Sequence, residues 1–98
     1  MATFKELGDK VEPKLKTLSN FKIGKTGQTI KERYDEEYSD TYENYEVIGN
    51  SDNKKTIDDF EEYMIERFID FPNCDNEQIG GGEMNDSEKY IVYLVSNN

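Results

Sequence analysis

The sequence predicts an α+β domain of about three short strands flanked by three or four helices. Three observations lead there. Apolar residues alternate with polar ones around residues 21–24 and 42–48, and an apolar run closes the chain at 90–95. Helical spacing governs three other stretches, near 3–19, 29–38 and the segment that begins at Thr56. With 98 residues, 34% of them hydrophobic and 35% charged, the chain can bury one modest core. Twelve Phe and Tyr side chains supply much of its bulk.

In order, Phe4, Leu7, Val11, Leu15 and Leu18 keep helical spacing behind a plausible cap at Thr3. Pro13 disfavours the α conformation at Glu12, so two helical pieces or one kinked helix are expected over 3–19. Phe21 and Ile23 form one face of a half-buried strand ending at Gly24. Gly24 and Gly27 bracket a turn. Thr29 with Glu32 is a capping box that opens a helix running to about Tyr38, with Ile30, Tyr34 and Tyr38 on its apolar stripe and Arg33 at the border.

Tyr42 to Ile48 follows as a strand of mixed exposure, and a polar loop covers 49–55. Thr56 with Asp59 looks like the next helix start, and Pro72 stops that helix. Residues 73–87 read as a mobile loop or a lid over the Arg33 side, with three glycines at 80–82. Tyr90 to Val95 is apolar on both faces, which argues for a strand covered on both sides.

Gly24-Lys25-Thr26 ends like a phosphate-binding P-loop, but the earlier glycine that motif needs is Ser19 here. A better match covers residues 21–76. Lys22-Ile23-Gly24, then Arg33 on the next helix, then Glu61 three residues ahead of Met64-Ile65, resemble the GIY-YIG nuclease superfamily in its Lys-Ile-Gly branch. Asn73 and Asn76 are candidates for the asparagine that follows. No Gly-Ile-Tyr strand precedes Phe21; Tyr90-Ile91-Val92-Tyr93 resembles that strand displaced to the other end of the chain, where it could pair with residues 21–24.

Length and pattern give a single GIY-YIG-like domain over 1–98: a helical segment (1–20), a core motif (21–76) that carries the resemblance, a mobile loop (77–88) and a last strand (89–96). The resemblance implies a small antiparallel sheet and a nucleic-acid phosphodiesterase using Mg²⁺ or Mn²⁺. Glu61 would be the metal ligand and Arg33 the charge stabiliser. Tyr34, Tyr90 or Tyr93 would be the proton acceptor. Lys22, Gly24, Lys25, Thr26 and Asn76 would line the substrate site. Lys22 replaces the second tyrosine of the paired motif, which unsettles the assignment of the base.

Glu61 stands out without any family. On a helix turning about 100° per residue, Glu61 falls about 40° from Ile57, inside the stripe formed by Phe60, Met64, Ile65 and Phe68. Glu62 and Glu66 fall on the wet side. A carboxylate aimed at a core needs a cation, a donor or a metal. Pairing with Arg33 or a tyrosine would close the core; a single divalent-ion ligand is the other solution, because Mg²⁺ keeps waters and takes few protein carboxylates.

The formal charge is −10, unevenly spread. Residues 1–34 hold eight Lys/Arg against four Asp/Glu, a net of +4; residues 35–98 hold four against eighteen, a net of −14. Broad electrostatic grip on a polyanion is therefore not expected, and nucleic acid would bind weakly, through residues 1–34. With no His and one Cys, a zinc centre and an intrachain disulfide are not expected. No apolar run approaches a membrane span or a signal h-region, so no membrane partner is expected and the reading is an intracellular protein. Beside the nuclease stand two binding classes: an acidic inhibitor that mimics nucleic acid for a basic protein, as virus- or phage-borne inhibitors do, and an adaptor with a degenerate site.

Overall fold

The computed structural model describes residues 3–79 and 84–98. Helix α1 is Phe4–Leu15, strand β1 Asn20–Thr26 and helix α2 Ile30–Arg33, which runs on as a π-helical turn at Tyr34–Tyr38; β2 is Asn44–Ser51, helix α3 Lys54–Phe68 and β3 Tyr90–Asn97. The three strands form one antiparallel sheet in the order β1-β3-β2, giving an α+β fold. The last strand is thus the central one. Gly24 faces Tyr93 across the ladder and Ile23 faces Leu94, so β3 lies beside the 21–24 strand as expected, although residues 21–24 face 93–96 and Tyr90 faces Ser51 of β2.

Both faces of β3 are covered. Tyr90, Val92 and Leu94 join Phe21 and Ile23 against Leu15, Phe60, Met64 and Phe68, the core beneath α1 and α3. Ile91, Tyr93 and Val95 pack on the other side with Tyr38 and Tyr42, flanked by Ile30 and Tyr34. Continuous hydrophobicity without alternation is what such a doubly covered strand requires.

Several boundaries differ from the sequence expectation, each for a local reason. Helix α1 is a single element that holds Pro13 and ends at Leu15; its capping box joins Thr3 and Glu6. Pro13 forfeits one i→i−4 bond, but it lies in the last turn, and only Lys14 and Leu15 follow it in the helix. The helix opened by Thr29 and Glu32 keeps its box but widens into a π turn after Arg33. Helix α3 starts two residues early, because Asn53 rather than Thr56 is the cap: the Asn53 side chain accepts the Thr56 N–H. Strand β2 begins at Asn44 and continues to Ser51 through a bulge between Val47 and Gly49, so the loop is shorter than 49–55. Tyr45 and Val47 point outward, each 41% exposed, and the Tyr45 ring lies against Tyr34.

β1 is an edge strand, yet its first half is not bare. Residues 73–76 run parallel beside it. The Phe21 N–H donates to the Asn73 carbonyl at 3.0 Å, and the Asp75 N–H donates to the Phe21 carbonyl at 2.7 Å. The Asn76 side chain then completes the ladder, accepting from Ile23 N–H and donating to its carbonyl, both at 2.9 Å.

Candidate functional site

Beside β1 opens a cleft of about 630 Å³. Four consecutive residues of the strand, Lys22 to Lys25, form its wall. Strand alternation sends Lys25 to the α3 side with Phe21 and Ile23, and Lys22 and Gly24 to the side of Tyr93. From α3 come Glu61 and Ile65, from the α2 turn Arg33, Glu37 and Tyr38, and from β3 Tyr93. Helix periodicity places Glu61 among Ile57, Phe60, Met64, Ile65 and Phe68 on the buried face of α3, and it is only 6% exposed.

The partner of Glu61 is Lys25, a correction to the expected pairing with Arg33 or a tyrosine. Lys25 Nζ stands 3.5 Å from Glu61 Oε1 and 2.9 Å from Asp58 Oδ1. The reason lies in strand geometry: Lys25 is on the sheet face that α3 covers, and Arg33 is delivered from the opposite side. Glu61 Oε1 is buried and accepts no hydrogen bond among the described residues. Burial pushes the Glu61 carboxyl above the ordinary carboxylate range, partly offset by the Lys25 charge. For Lys25, burial works against the charge, but the Asp58 hydrogen bond and the Glu61 charge outweigh it and hold its ammonium more firmly than usual.

Arg33 is fixed from two directions. Its Nη2 pairs with Glu37 at 2.8 Å, one π turn on, and its Nε approaches the Tyr93 hydroxyl at 3.5 Å. Tyr93 shares a 2.8 Å hydrogen bond with the Tyr38 hydroxyl. Burial, with the Tyr38 hydroxyl adding to it and Arg33 opposing, raises the Tyr93 phenol well above its usual value, so it is a neutral hydroxyl at ordinary pH. Lys22 lies 5.9 Å from the centroid of the Tyr38 ring, and among the described residues it makes no ion pair.

Of the residues singled out from sequence, Lys22, Gly24, Lys25, Arg33, Glu61, Asn76 and Tyr93 line this one cleft. Others fall elsewhere. Tyr34 donates its hydroxyl to the Tyr42 carbonyl, and Tyr90 accepts the Ser87 N–H at 2.9 Å from within the α1–α3 core. Thr26 lines an adjoining recess of about 230 Å³ that shares Lys25 and Arg33. Asn76 has its amide committed to the Ile23 backbone, and Asn73 donates to the Leu15 and Leu18 carbonyls. The glycines at 80–82 lie outside the described residues, while Met84, just beyond them, is buried and lines the cleft.

Sequence reading missed Tyr38 and Glu37 as members of the site and Asp58 as the hydrogen-bond partner of Lys25. Tyr38 was visible only as a core-stripe residue. Asp58 had one signal, its place one turn ahead of Glu61 on the same helix.

The expected basic surface is largely spent internally. Of the eight cations in residues 1–34, Lys5, Lys14, Lys16, Lys25, Lys31 and Arg33 are in ion pairs. Cleft charge adds up to three cations, Lys22, Lys25 and Arg33, against Glu37, Glu61, Asp75 and Glu77, a net of −1. No described helix is long and apolar enough to cross a membrane, and no group of three or more metal-binding side chains occurs among the described residues.

Fold and cleft together define the class: a three-stranded α+β domain whose edge strand carries a polar, mixed-charge cleft with a buried carboxylate. No family model, curated protein or solved structure matches the chain.

Proposed function

We propose that the cleft is a GIY-YIG-like phosphodiester site that uses a divalent ion to cleave nucleic acid. The observation that carries this reading is Glu61: a buried carboxylate whose Oε1 accepts no hydrogen bond among the described residues and has only the Lys25 ammonium at 3.5 Å, in a cleft shared with Arg33, Lys22 and Tyr93. A hard oxygen without a hydrogen bond beside an open, polar space suits Mg²⁺ or Mn²⁺, which accept one protein carboxylate and complete their shell with water and phosphate. Glu61 would hold the ion, and when bound it would act as a Lewis acid on a phosphate oxygen.

The chain's own groups do the rest. Arg33, oriented by Glu37 and Tyr93, presents a guanidinium to oxygens that gain charge as the P–O bond breaks. Lys22 adds a second cation from the strand, free of ion pairs among the described residues. Tyr93 serves as a fixed neutral hydroxyl that positions Arg33, rather than as a base. Tyr34 and Tyr90, turned to other partners, take no part.

Purified protein incubated with plasmid DNA and with RNA in Mg²⁺ or Mn²⁺ tests this. Arg33→Ala and Glu61→Ala are expected to lose at least about a hundredfold in cleavage rate, the usual scale for one transition-state contact. Cleavage by both variants at the rate of the unaltered protein would sink the reading.

A second reading, an acidic binding protein for a basic nucleic-acid-binding partner, is favoured by the net −1 in the cleft and the −14 over residues 35–98. Absence of cleavage by any form, with recovery of a basic protein by pull-down, would move the assignment there.

A further inference from the structure

At the α3 side of the cleft, Lys25, Glu61 and the neighbouring Asp58 form an arrangement that the phosphodiester reading leaves unused. Asp58 and Glu61 stand three residues apart, hence on one face of α3, and β1 alternation aims Lys25 at that face. The ammonium hydrogen-bonds to Asp58 at 2.9 Å but reaches Glu61 only at 3.5 Å. Lys25 and Glu61 are both 8% exposed at the side chain, while Asp58 is 47% exposed. The nearer contact is thus to the half-exposed carboxylate, and Glu61 Oε1 keeps the ammonium only as an ion pair, without a hydrogen bond.

We propose that Lys25 is a built-in competitor of a divalent cation for Glu61, with Asp58 the positioning residue that holds the ammonium aside. The inference rests on the reading of the cleft as a metal-assisted phosphodiester site. An ammonium a few ångströms from the carboxylate repels an incoming dication, so the ion binds weakly to the free protein. A substrate phosphate entering the cleft offers Lys25 a stronger anion than Glu61, and draws the ammonium off. Metal and phosphodiester then strengthen each other's binding, by the same factor in each direction. Chemistry is confined in this way to the complex that holds both.

Mn²⁺ binding to the full chain, followed by electron paramagnetic resonance, tests the proposal without reference to turnover. Thymidine 3′,5′-bisphosphate serves as the phosphate probe. Lys25→Met should bind Mn²⁺ about tenfold tighter than the unaltered protein, as expected when one nearby like charge is removed. Asp58→Asn should weaken it by about threefold, because the ammonium then settles on Glu61. The nucleotide should tighten Mn²⁺ about fivefold or more in the unaltered protein and leave Lys25→Met nearly unchanged. Glu61→Gln should abolish binding in either background. Lys25→Arg, which keeps the charge, should retain the weak affinity and controls for packing.

Equal Mn²⁺ affinity of Lys25→Met and the unaltered protein, both folded by circular dichroism, overturns the competition. So does tight binding that survives Glu61→Gln. Either result leaves the nuclease reading standing if Arg33→Ala still loses cleavage, so the two ideas fail separately.

Discussion

At Gly24 the backbone itself forms part of the cleft wall. A methyl group there would overlap the Tyr93 hydroxyl and ring, because the two residues face each other across the β1–β3 ladder. Gly24→Ala should push the phenol off Tyr38 and Arg33, at a cost of about 1–3 kcal/mol, the usual scale of overpacking. Urea denaturation measures the loss, and cleavage should fall further than stability alone explains. Glu61 makes a prediction of opposite sign. Its carboxyl is raised above the ordinary range, first by burial, so the folded protein holds that proton more tightly than the unfolded chain. The stability it contributes is fullest at low pH and is lost as pH rises past the ordinary carboxylate range. Without divalent ions, Glu61→Gln should gain in stability relative to the unaltered protein as pH rises through and above the ordinary carboxylate range. Thermal melts across that range would refute this if the gap stayed flat or reversed.

Among elements, the segment at 73–76 shows how an asparagine can act as backbone. Asn76 satisfies both the donor and the acceptor of Ile23, extending a ladder that main chain begins at Phe21. Asn76→Ala leaves two partly buried groups of an edge strand without partners, and should cost about 2 kcal/mol. Hydrogen exchange at the Ile23 amide should quicken selectively; unchanged protection there would contradict the clamp. The same scale explains what sequence could and could not disclose. The burial of Glu61 was readable because six residues of one helix share a period of 3.6, and the covered strand at 90–95 because it lacks alternation. Lys25 as the partner of Glu61 was not readable, since it depends on which face of a distant strand the helix covers. The π turn after Arg33 carries no local signature, although such turns often mark functional positions. Asn73 and Asn76 were visible as candidates, but their hydrogen bonds to Leu15, Leu18 and Ile23 arise only once the chain returns to β1.

For the molecule as a whole, charge sets the terms on which any polyanion is met. With most of its N-terminal cations already paired and a net of −1 in the cleft, the domain has little long-range attraction to offer DNA or RNA. Nucleic-acid binding measured by fluorescence anisotropy should be barely detectable in a chelator and appear on adding Mg²⁺. Its salt dependence should be shallow, about one or two counterions' worth in the slope. A steep salt dependence in chelator would instead reveal a basic surface that the ion pairs do not suggest.

The placement of β3 has one more consequence. The strand that holds the sheet together is the last of the three to be synthesised, and the amide of Ser19 waits for the carbonyl of Asn97. Until residues 90–97 emerge, β1 and β2 have no neighbour to pair with, and the nascent polypeptide carries two lone ribbons. Closure over so long a stretch of chain makes acquisition of structure late and slow for so small a protein. Ribosome-stalled chains ending near residue 85 should be degraded by protease, and those exposing Asn97 resistant.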